Sequence, residues 1–321
     1  MLKTIHLESV INNHSQDMTG KVVAITGTTS GTGYVCAREM AKLGANVLLL
    51  NRKSKRFESS LAALKKEVPM GLFKAIACDL QDFESVRAAI SKISSTHPVI
   101  DVLCNNAGIM AMPDFATKDG YDIQMQTNCI SHFLLTSGLF QLIKKSTEGR
   151  IVNHSSMARL GPPLEEKYFG KNGGNLGGDG TDEENNSFKG PRWMRYHQTK
   201  LANCAFTFGL IEKLEDQEIK NVKVLLAHPG LAATHLQVTT ADNGGMQAGT
   251  EFMQMAQSAE DGATGIIRCC ADPKAETGNF FGPEQWVGFP DKITPEEYLN
   301  DPENIRINWE GCVAAVGKFL F

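Results

Sequence analysis

The sequence lacks the features that mark several large classes of protein. Its 321 residues carry 32 Lys and Arg against 36 Asp and Glu, so no basic excess points to nucleic acid or to an anionic membrane. The first six residues lack the apolar core of about 7–15 residues that a secretion signal needs. No apolar run approaches the ~20 residues of a membrane helix. We therefore expect neither a nucleic-acid partner nor an integral membrane segment.

The eight cysteines form no CxxC pair and no zinc-type spacing, so we expect no metal site. Reduced thiols that pack as small apolar side chains fit this pattern, and they indicate a cytoplasmic compartment. The stroma of an organelle remains the alternative location if a targeting peptide has been removed. We expect the adjacent Cys269 and Cys270 to be buried in a helix, with a redox-active pair as the alternative.

Short apolar runs alternate with helical patterns through the first 230 residues. The runs predict strands at 22–26, 46–50, 73–78, 100–105, 150–154 and 222–228. The helical patterns lie at 34–43, 57–68, 82–95 and 118–145, and a further one begins near Tyr196. This alternation predicts an α/β fold: a doubly wound parallel sheet with helices on both faces, the Rossmann fold. We expect one such domain over residues 21–321 after a polar lead-in at 1–20.

A Gly-rich insert at about 170–190 interrupts this rhythm. It has almost no apolar residues, and it separates the fifth strand from the helix of Tyr196. Such a segment would lie at the carboxyl edge of the strands, where sheets of this kind bind ligands. We therefore predict a mobile flap over a substrate cleft rather than a part of the fold.

Tyr196 and Lys200 stand four positions apart in a predicted helix, so both side chains leave the same face. An ammonium near the phenol would lower its pKa by about 1–3 units and bring it toward neutral pH. Such a phenol could both give and take a proton. Taken alone, the pair is more typical of an exposed helix face.

Gly27, Gly31 and Gly33 lie directly between a predicted strand and a predicted helix. Glycines in this context allow the backbone to approach a pyrophosphate, which then rests at the helix N-terminus. A tight turn without a ligand is the alternative. The flanking strand and helix favour dinucleotide binding.

The stretch 26–33 resembles the TGxxxGxG motif of the short-chain dehydrogenase/reductase family. The resemblance recurs in order along residues 22–234. The further matches are Asn105-Asn106-Ala107-Gly108 for NNAG, Asn128 within a helix, Ser155-Ser156 after the fifth strand, Tyr196-x-x-x-Lys200 for YxxxK, and Pro229-Gly230 after the sixth strand. The last 80 or so residues match no motif of the family.

This resemblance implies roles for named residues. The implied catalytic residues are Asn128, Ser156, Tyr196 and Lys200. Tyr196 would be the general acid/base, and Ser156 would hold the reacting oxygen, although Ser155 is the neighbouring candidate. Lys200 would contact the nicotinamide ribose, next to a water held near Asn128. The implied cofactor-binding residues are Gly27, Thr29, Ser30, Gly31, Thr32, Gly33, Arg52, Asp79, Leu80, Asn106, Ala107, Gly108, Tyr196, Lys200, Pro229, Gly230, Leu231 and Thr234.

Arg52 points to NADP(H) as the cofactor. No acidic residue follows the second strand, where one would accept the ribose hydroxyl of NAD, and Arg52 can fork onto a phosphate instead. Lys53 and Arg56 fit solvated surface charges. Asp79 resembles the family's acidic contact to adenine, with a turn cap as the alternative.

Forty positions separate Ser156 from Tyr196, and this long spacing resembles the retinol dehydrogenase-like branch. The main hypothesis is an oxidoreductase for an alcohol or carbonyl on a bulky, apolar small molecule. Light-dependent protochlorophyllide reductases also carry a long insert, but they have a Cys where this chain has Ala202. A non-catalytic NADP(H)-binding scaffold is the third hypothesis.

The resemblance also allows a homodimer, because members of the family pair through the helix that carries the Tyr. The residues that would form this contact here are Leu201, Phe206, Phe208 and Leu210.

Overall fold

A single eight-stranded sheet forms the centre of the protein in a computed structural model that describes residues 2–247, 249 and 251–321. The strands are β1 (Val22–Thr26), β2 (Asn46–Asn51), β3 (Leu72–Ala77), β4 (Val102–Asn105), β5 (Gly149–His154), β6 (Val222–Ala227), β7 (Phe280–Gly282) and β8 (Asp291–Ile293). Their order is β3-β2-β1-β4-β5-β6-β7-β8. All neighbours pair parallel except β7 and β8.

Helices cover both faces of this sheet. They are α1 (Leu7–Asn13), α2 (Gly31–Lys42), α3 (Lys55–Glu67), α4 (Phe83–Ser94), α5 (Ile123–Met125), α6 (Ser131–Ile143), α7 (Asp182–Asn186), α8 (Gly190–Asp216), α9 (His235–Asp242), α10 (Ala259–Gly262), α11 (Thr264–Ala271) and α12 (Pro302–Val316). Alternate residues of β2 enter different apolar cores: Leu48 and Leu50 one, Val47 and Leu49 the other. This period of two is the signature of a strand buried on both faces. The doubly wound fold expected from the sequence is confirmed.

Two parts of the chain carry structure that the sequence patterns did not reveal. The polar lead-in contains α1, and the backbone N–H groups at its start, of Ile5, His6 and Leu7, donate to the Asp261 carboxylate. The last 80 residues add β7, β8 and α12 to the fold. Strands of three residues carry too little pattern to be recognised from sequence.

The helix predicted from residue 118 begins later and is not regular. The Asp122 carboxylate accepts from the N–H groups of Gln124 and Met125, so it caps the helix and fixes its start at Ile123. A π-helical turn, Gln126–Ile130, then joins α5 to α6. Such turns occur often at functional sites, and this one contains Asn128.

The apolar face of α8 that the sequence offered for pairing lies inside the same chain. Leu201, Phe206 and Leu210 are at most 2% exposed, and α12 packs along α8 with Trp309 against the Phe206 ring. The surface expected for a homodimer is therefore covered by the C-terminal helix, and only Phe208 of the four residues is partly exposed.

The Gly-rich insert is bound to the body of the protein by polar contacts, which corrects the expectation of a mobile flap. Asp114 accepts the N–H groups of Gly174, Leu176 and Gly178 at 2.7–3.0 Å. The buried Arg195 guanidinium donates to the carbonyl oxygens of Leu176 and Gly178. The insert therefore needs few apolar residues, because its backbone is held by two charged side chains.

All eight cysteines are free and buried, as the sequence predicted. Cys269 and Cys270 both lie in α11 and are fully buried. Among the helices of the described ranges, none combines the length and the hydropathy that crossing a membrane requires.

We predict that Arg195→Met lowers the free energy of unfolding by about 3–5 kcal/mol, because the substitution leaves buried carboxylates without their cation. Arg195 lies 3.4 Å from Asp122 and 3.8 Å from Asp114, and all three side chains are at most 3% exposed. Urea denaturation measures the change. The matched control is Arg306→Met. The ion pairs of Arg306 with Glu303 and Glu310 are exposed, so their loss should lower the free energy of unfolding by less than about 1 kcal/mol. Equal losses in both variants would contradict the account of the insert.

Candidate active site

One cleft at the carboxyl ends of the parallel strands brings together the residues that the sequence singled out. It encloses about 760 Å³, within the range usual for small-molecule sites. Its lining includes every predicted site residue except Gly33 and Asn128, which lie directly behind it. Residues from eight separate stretches between Gly27 and Thr234 thus converge on a single site because the parallel strands all end at this edge.

The glycine turn between β1 and α2 is built for close backbone approach. Gly27 and Gly31 have positive φ angles of 73° and 60°, a region that favours glycine. A Cβ on Gly27 would lie 2.8 Å from the Ala107 Cα, and one on Gly33 would lie 2.3 Å from the Asn106 Nδ2. Side chains at these positions would therefore separate the turn from the 106–108 loop.

Asn106 fixes the turn to its neighbours. Its Nδ2 donates to the carbonyl oxygen of Thr26 at 2.9 Å, so its Oδ1 is the acceptor. That oxygen accepts from the Thr32 hydroxyl and contacts the Nδ1 of His154, both at 3.0 Å. The ends of β1, β4 and β5 are thereby joined through one amide. Thr26 contributes a second link, since its hydroxyl accepts from the N–H of Ala107.

The adenosine end of the cleft is positively charged. Arg52 and Arg56 both line it, and burial together with the nearby Arg52 cation lowers the pKa of Arg56. Arg56 donates to the Ser30 hydroxyl, so it is held at the mouth of the glycine turn rather than free on the surface. Among the described lining residues, Asp79 is the only carboxylate, and it also accepts from the N–H of Gln81 as a turn cap.

The loop 229–234 closes the cleft from the opposite side. Gly230 has a φ of 59°, and a Cβ there would lie 2.4 Å from the Trp286 carbonyl oxygen. Thr234 begins α9 with a capping box to Gln237. The position of a Cβ on Gly31 is 3.1 Å from the Thr234 Cβ, so this loop lies against the glycine turn.

The two serines after β5 face different surroundings. Ser156 lines the cleft, and its hydroxyl beside the Tyr196 phenol lowers the pKa of that phenol. Ser155 is buried, and its hydroxyl donates to the Lys200 carbonyl oxygen at 2.8 Å. Successive residues of an extended chain point to opposite sides. Ser156 is therefore the serine that can reach a substrate oxygen beside the Tyr196 hydroxyl.

The pKa of Tyr196 shifts opposite to the expectation from the YxxxK spacing. Burial raises it to about 12, and the Ser156 hydrogen bond offsets this only in part. The Lys200 ammonium lies 5.7 Å from the ring centroid, and it donates to the His154 carbonyl oxygen at 3.0 Å. Burial lowers the pKa of Lys200 to about 8. Desolvation therefore outweighs the attraction that the spacing suggested.

Asn128 is fully buried at the π-helical turn and supports this pair from behind. Its side chain exchanges two hydrogen bonds with the backbone of Ile109 and donates to the Thr199 hydroxyl, all at 2.9 Å. A Cβ on Gly108 would lie 3.3 Å from the Asn128 Oδ1 and 3.5 Å from the Lys200 Nζ. The amide thus holds the chain after β4 in place beside the lysine.

The other end of the cleft is apolar, which the sequence patterns did not indicate. Its large side chains come from segments far apart in the chain: Met110, Met157, Leu160, Trp193, Leu236, Met246 and Met253. Met110, Met246 and Tyr196 pack in one cluster, and Trp193 contacts the Tyr196 ring edge-on at 6.0 Å between centroids. The phenol therefore stands between the charged end and the apolar end.

The flanking histidines and Cys204 have structural partners. Both ring nitrogens of His197 contact backbone carbonyl oxygens, of Ala158 and Pro162. Cys204 is fully buried and directs its thiol to the Ser155 hydroxyl. His154 joins β5 to Asn106 through its Nδ1. No local sequence pattern reveals this contact, because Asn106 lies 48 positions away in the sequence.

The residues present fit a dinucleotide phosphate. The glycine turn leaves room that a Cβ would fill, and it leads into a twelve-residue helix whose N-cap, Ser30, makes no side-chain capping bond. The helix N-terminus and two arginines place positive charge where phosphates would lie. The single carboxylate, Asp79, does not oppose this charge.

We predict that Lys200 makes the stability of the protein depend on pH between about 8 and 10. The folded pKa of about 8 lies below the ordinary lysine pKa of 10.5, so in this window the unfolded chain binds more protons and stability rises with pH. Relative to Lys200→Met, the wild type should gain roughly 2 kcal/mol between pH 8 and pH 10. Urea denaturation of both proteins at both pH values measures it. A constant difference would show that the lysine is not desolvated.

Comparison with known proteins finds sequences similar to this chain among named dehydrogenases and oxidoreductases. The family model for short chain dehydrogenases matches residues 21–168. Human retinol dehydrogenase 14 is 35% identical over 68% of this chain and 64% of its own length. The chloroplastic short-chain dehydrogenase TIC 32 A of Brassica napus is 33% identical over 70% of this chain and 67% of its own length.

Two further proteins extend the comparison. An uncharacterized oxidoreductase of Schizosaccharomyces pombe is 34% identical over 70% of this chain and 64% of its own length. The chain thus spans about two thirds of the length of these relatives. The crystal structure of an uncharacterized protein from Mycobacterium paratuberculosis superposes with a TM-score of 0.73 at 26% identity, over 97% of this chain and 98% of that one. From the fold, the motifs and these similarities, the chain belongs to the short-chain dehydrogenase/reductase family.

Proposed function

We propose that the protein is an NADP(H)-dependent oxidoreductase that interconverts an alcohol and a carbonyl on a bulky, apolar small molecule. One observation carries the proposal: Ser156, Tyr196 and Lys200 meet in one cleft, between a cationic end and an apolar end. A cofactor and an apolar substrate would therefore meet at the only phenol that lines the described part of the cleft.

The cofactor preference rests on Arg52 and Arg56. Both residues line the cleft after β2, and Arg56 donates to the Ser30 hydroxyl of the glycine turn. A phosphate on the adenosine ribose would take charge-assisted hydrogen bonds from them, whereas a free hydroxyl would not. Two arginines thus replace the one that the sequence suggested.

The chemistry of the site divides between the cofactor and the chain. When bound, the nicotinamide supplies or accepts the hydride. Tyr196 keeps its proton at neutral pH because burial raises its pKa to about 12, so it can act as the general acid for a carbonyl oxygen. Ser156 donates a hydrogen bond to the same oxygen and holds it. Lys200, with a pKa of about 8, stays charged at pH 7 and stabilises the phenolate left behind.

The substrate class follows from the apolar end of the cleft. Methionines 110, 246 and 253 and Trp193 supply flexible, polarizable surface, and such side chains adapt to irregular apolar ligands. The relatives named retinol dehydrogenases support a substrate of this size and polarity. A pigment-like, steroid-like or lipid-like molecule fits the same description.

The second hypothesis is reduction of a carbon–carbon double bond in a pigment, and the described lining of the cleft offers no thiol donor next to Tyr196 for it. Cys204 is fully buried and points to Ser155. Cys78 is the thiol that lines the cleft, and it lies after β3 beside Asp79. A non-catalytic NADP(H)-binding scaffold, the third hypothesis, would have no use for Ser156 beside Tyr196. A turnover assay therefore tests this hypothesis.

We predict that Tyr196→Phe reduces turnover by about 10²–10⁴, because it removes the general acid. The substitution deletes one oxygen, so NADPH affinity and melting temperature should stay close to wild type. The measurement is NADPH oxidation with a panel of aldehydes and ketones that includes retinoids and steroids. Ser156→Ala should reduce turnover more than Ser155→Ala.

Two outcomes would contradict this assignment. Near wild-type turnover by Tyr196→Phe would remove the phenol from the chemistry. Wild-type protein that binds NADPH but turns over no member of the panel, nor any of a matching set of alcohols with NADP⁺, would favour the scaffold.

We predict that the protein prefers NADPH to NADH, and that Arg52→Ala weakens NADPH binding by about 10–150-fold while NADH binding changes little. The reason is the loss of one charge-assisted contact, about 1.5–3 kcal/mol. Arg56→Ala should act in the same direction. Titration of intrinsic tryptophan fluorescence gives both dissociation constants. Lys53→Ala is the matched control, since Lys53 is adjacent but lies outside the cleft lining; equal affinities of the wild type for both cofactors would refute the prediction.

A further inference from the structure

Three buried thiols converge in the core behind the glycine turn. Cys36 of α2, Cys104 of β4 and Cys270 of α11 are each 0% exposed, and their sulfur atoms all lie within 4.8 Å of one another. Within the described residues, no other His, Cys, Asp or Glu side chains converge in this way, and none joins these three as a fourth ligand. The spacing in sequence hides the cluster, because 68 and 166 positions separate its members.

The geometry suits a small ion bound by three sulfurs. Sulfur atoms bonded at about 2.3 Å to one centre are about 4.0 Å apart in a planar arrangement and closer in a pyramidal one. The thiols would therefore need to move by less than about 1 Å. A tetrahedral zinc site requires a fourth ligand, which the apolar side chains around the cluster, such as Val35 and Ile266, do not provide.

We propose that Cys36, Cys104 and Cys270 form a binding site for a soft, three-coordinate thiophilic ion, with trivalent arsenic as the ligand that its charge and geometry fit best. Three thiolates around As(III) make a neutral complex. The same thiolates around Cu(I) carry a charge of −2 and around Zn(II) a charge of −1, which an apolar core disfavours.

Arg150 is the cation that acts on Cys270 in the described part of the chain, and its guanidinium already has other partners. The buried Arg150 donates to the carbonyl oxygens of Cys269 and Asp272 at this end of α11, and it is paired with Glu148. Soft thiolates bind Cu(I) well where charge is compensated. The apolar surroundings of the three cysteines therefore favour the neutral As(III) complex.

The binding reaction is a ligand exchange without oxidation or reduction. Arsenous acid, As(OH)₃, loses three As–O bonds and gains three As–S bonds. Each thiol proton leaves with one hydroxide as water, so three waters form. Arsenous acid is uncharged at neutral pH and can enter the core through local opening of α2 or α11.

Bound arsenic would cross-link three elements that support the cleft. α2 begins at the glycine turn, and β4 ends at Asn105, directly before Asn106. None of the three cysteines lines the cleft, so the site lies beneath the cofactor region and outside it. The complex should stabilise the folded state, since the unfolded chain does not hold the thiols together.

The test titrates arsenite into the full-length reduced protein. We use a Cys312→Ala background, because the Cys129 and Cys312 sulfurs lie 4.0 Å apart and could bind arsenic as a pair. Binding is followed by the ultraviolet absorption of As–S bonds, by the loss of free thiols and by melting temperature. We expect one arsenic per chain, three thiols consumed and a rise in melting temperature, with Cu(I) and Zn(II) binding more weakly.

Cys270→Ala and Cys269→Ala form a matched pair, since both residues are fully buried neighbours in α11. Cys270→Ala should weaken arsenic binding by more than about 100-fold, because loss of partners outside the ligand shell alone costs about 10–100-fold. Cys269→Ala should leave it unchanged. If Cys270→Ala fails to fold, Cys36→Ala serves instead. Equal affinity in both variants, fewer than three thiols consumed, or tighter binding of Zn(II) or Cu(I) would overturn the proposal and leave the cysteines as packing residues.

Discussion

The hydrogen bonds of one amide, Asn106, hold the cleft together. Its Nδ2 reaches the carbonyl oxygen at the end of β1, and its Oδ1 joins Thr32 of α2 to His154 of β5. Parallel strands end at one edge, but their loops need a common anchor before side chains can meet there. The amide is partly buried among polar partners. A substitution that removes its Nδ2 or its Oδ1 would therefore leave hydrogen-bonding groups without partners at three strand ends.

The same burial that forms the cleft sets the protonation of its two central groups. Desolvation raises the pKa of Tyr196 and lowers that of Lys200, so both shifts favour neutral side chains. At neutral pH the phenol therefore keeps its proton, while the lysine, with a pKa of about 8, remains mostly charged. A protonated phenol beside a charged amine is what the proposed reduction of a carbonyl needs.

Local patterns in the sequence predicted what local geometry controls. The spacing of Gly27, Gly31 and Gly33 between a strand and a helix fixed the turn, and the four-residue spacing of Tyr196 and Lys200 fixed their shared face. The resemblance pointed to Ser156, and alternation along an extended chain agrees with it, since the Ser155 hydroxyl donates to the Lys200 carbonyl oxygen instead. The sheet itself was predictable where a buried strand carries a continuous apolar run, as β1 and β2 do.

What the sequence could not reveal depends on contacts between distant residues. The spacing of Tyr196 and Lys200 carries no information about burial, and burial decided the direction of both pKa shifts. The apolar face of α8 suggested a partner, but whether that partner is a second chain or α12 depends on where residues 302–316 return. The methionines of the apolar end come from three loops, and no pattern joins them before the chain folds.

The insert shows the same limit and also a consequence for the site. A segment poor in apolar residues is predicted to be mobile, since it cannot bury a core of its own. Here Asp114 and Arg195 supply the missing stabilisation, and Arg195 directly precedes Tyr196 in α8. The insert, the buried ion pair with Asp122 and α8 therefore form one connected unit. A change that loosens the insert would act on Arg195 and so on its neighbour Tyr196, which means that the long connection before α8 helps to position the phenol as well as bordering the cleft.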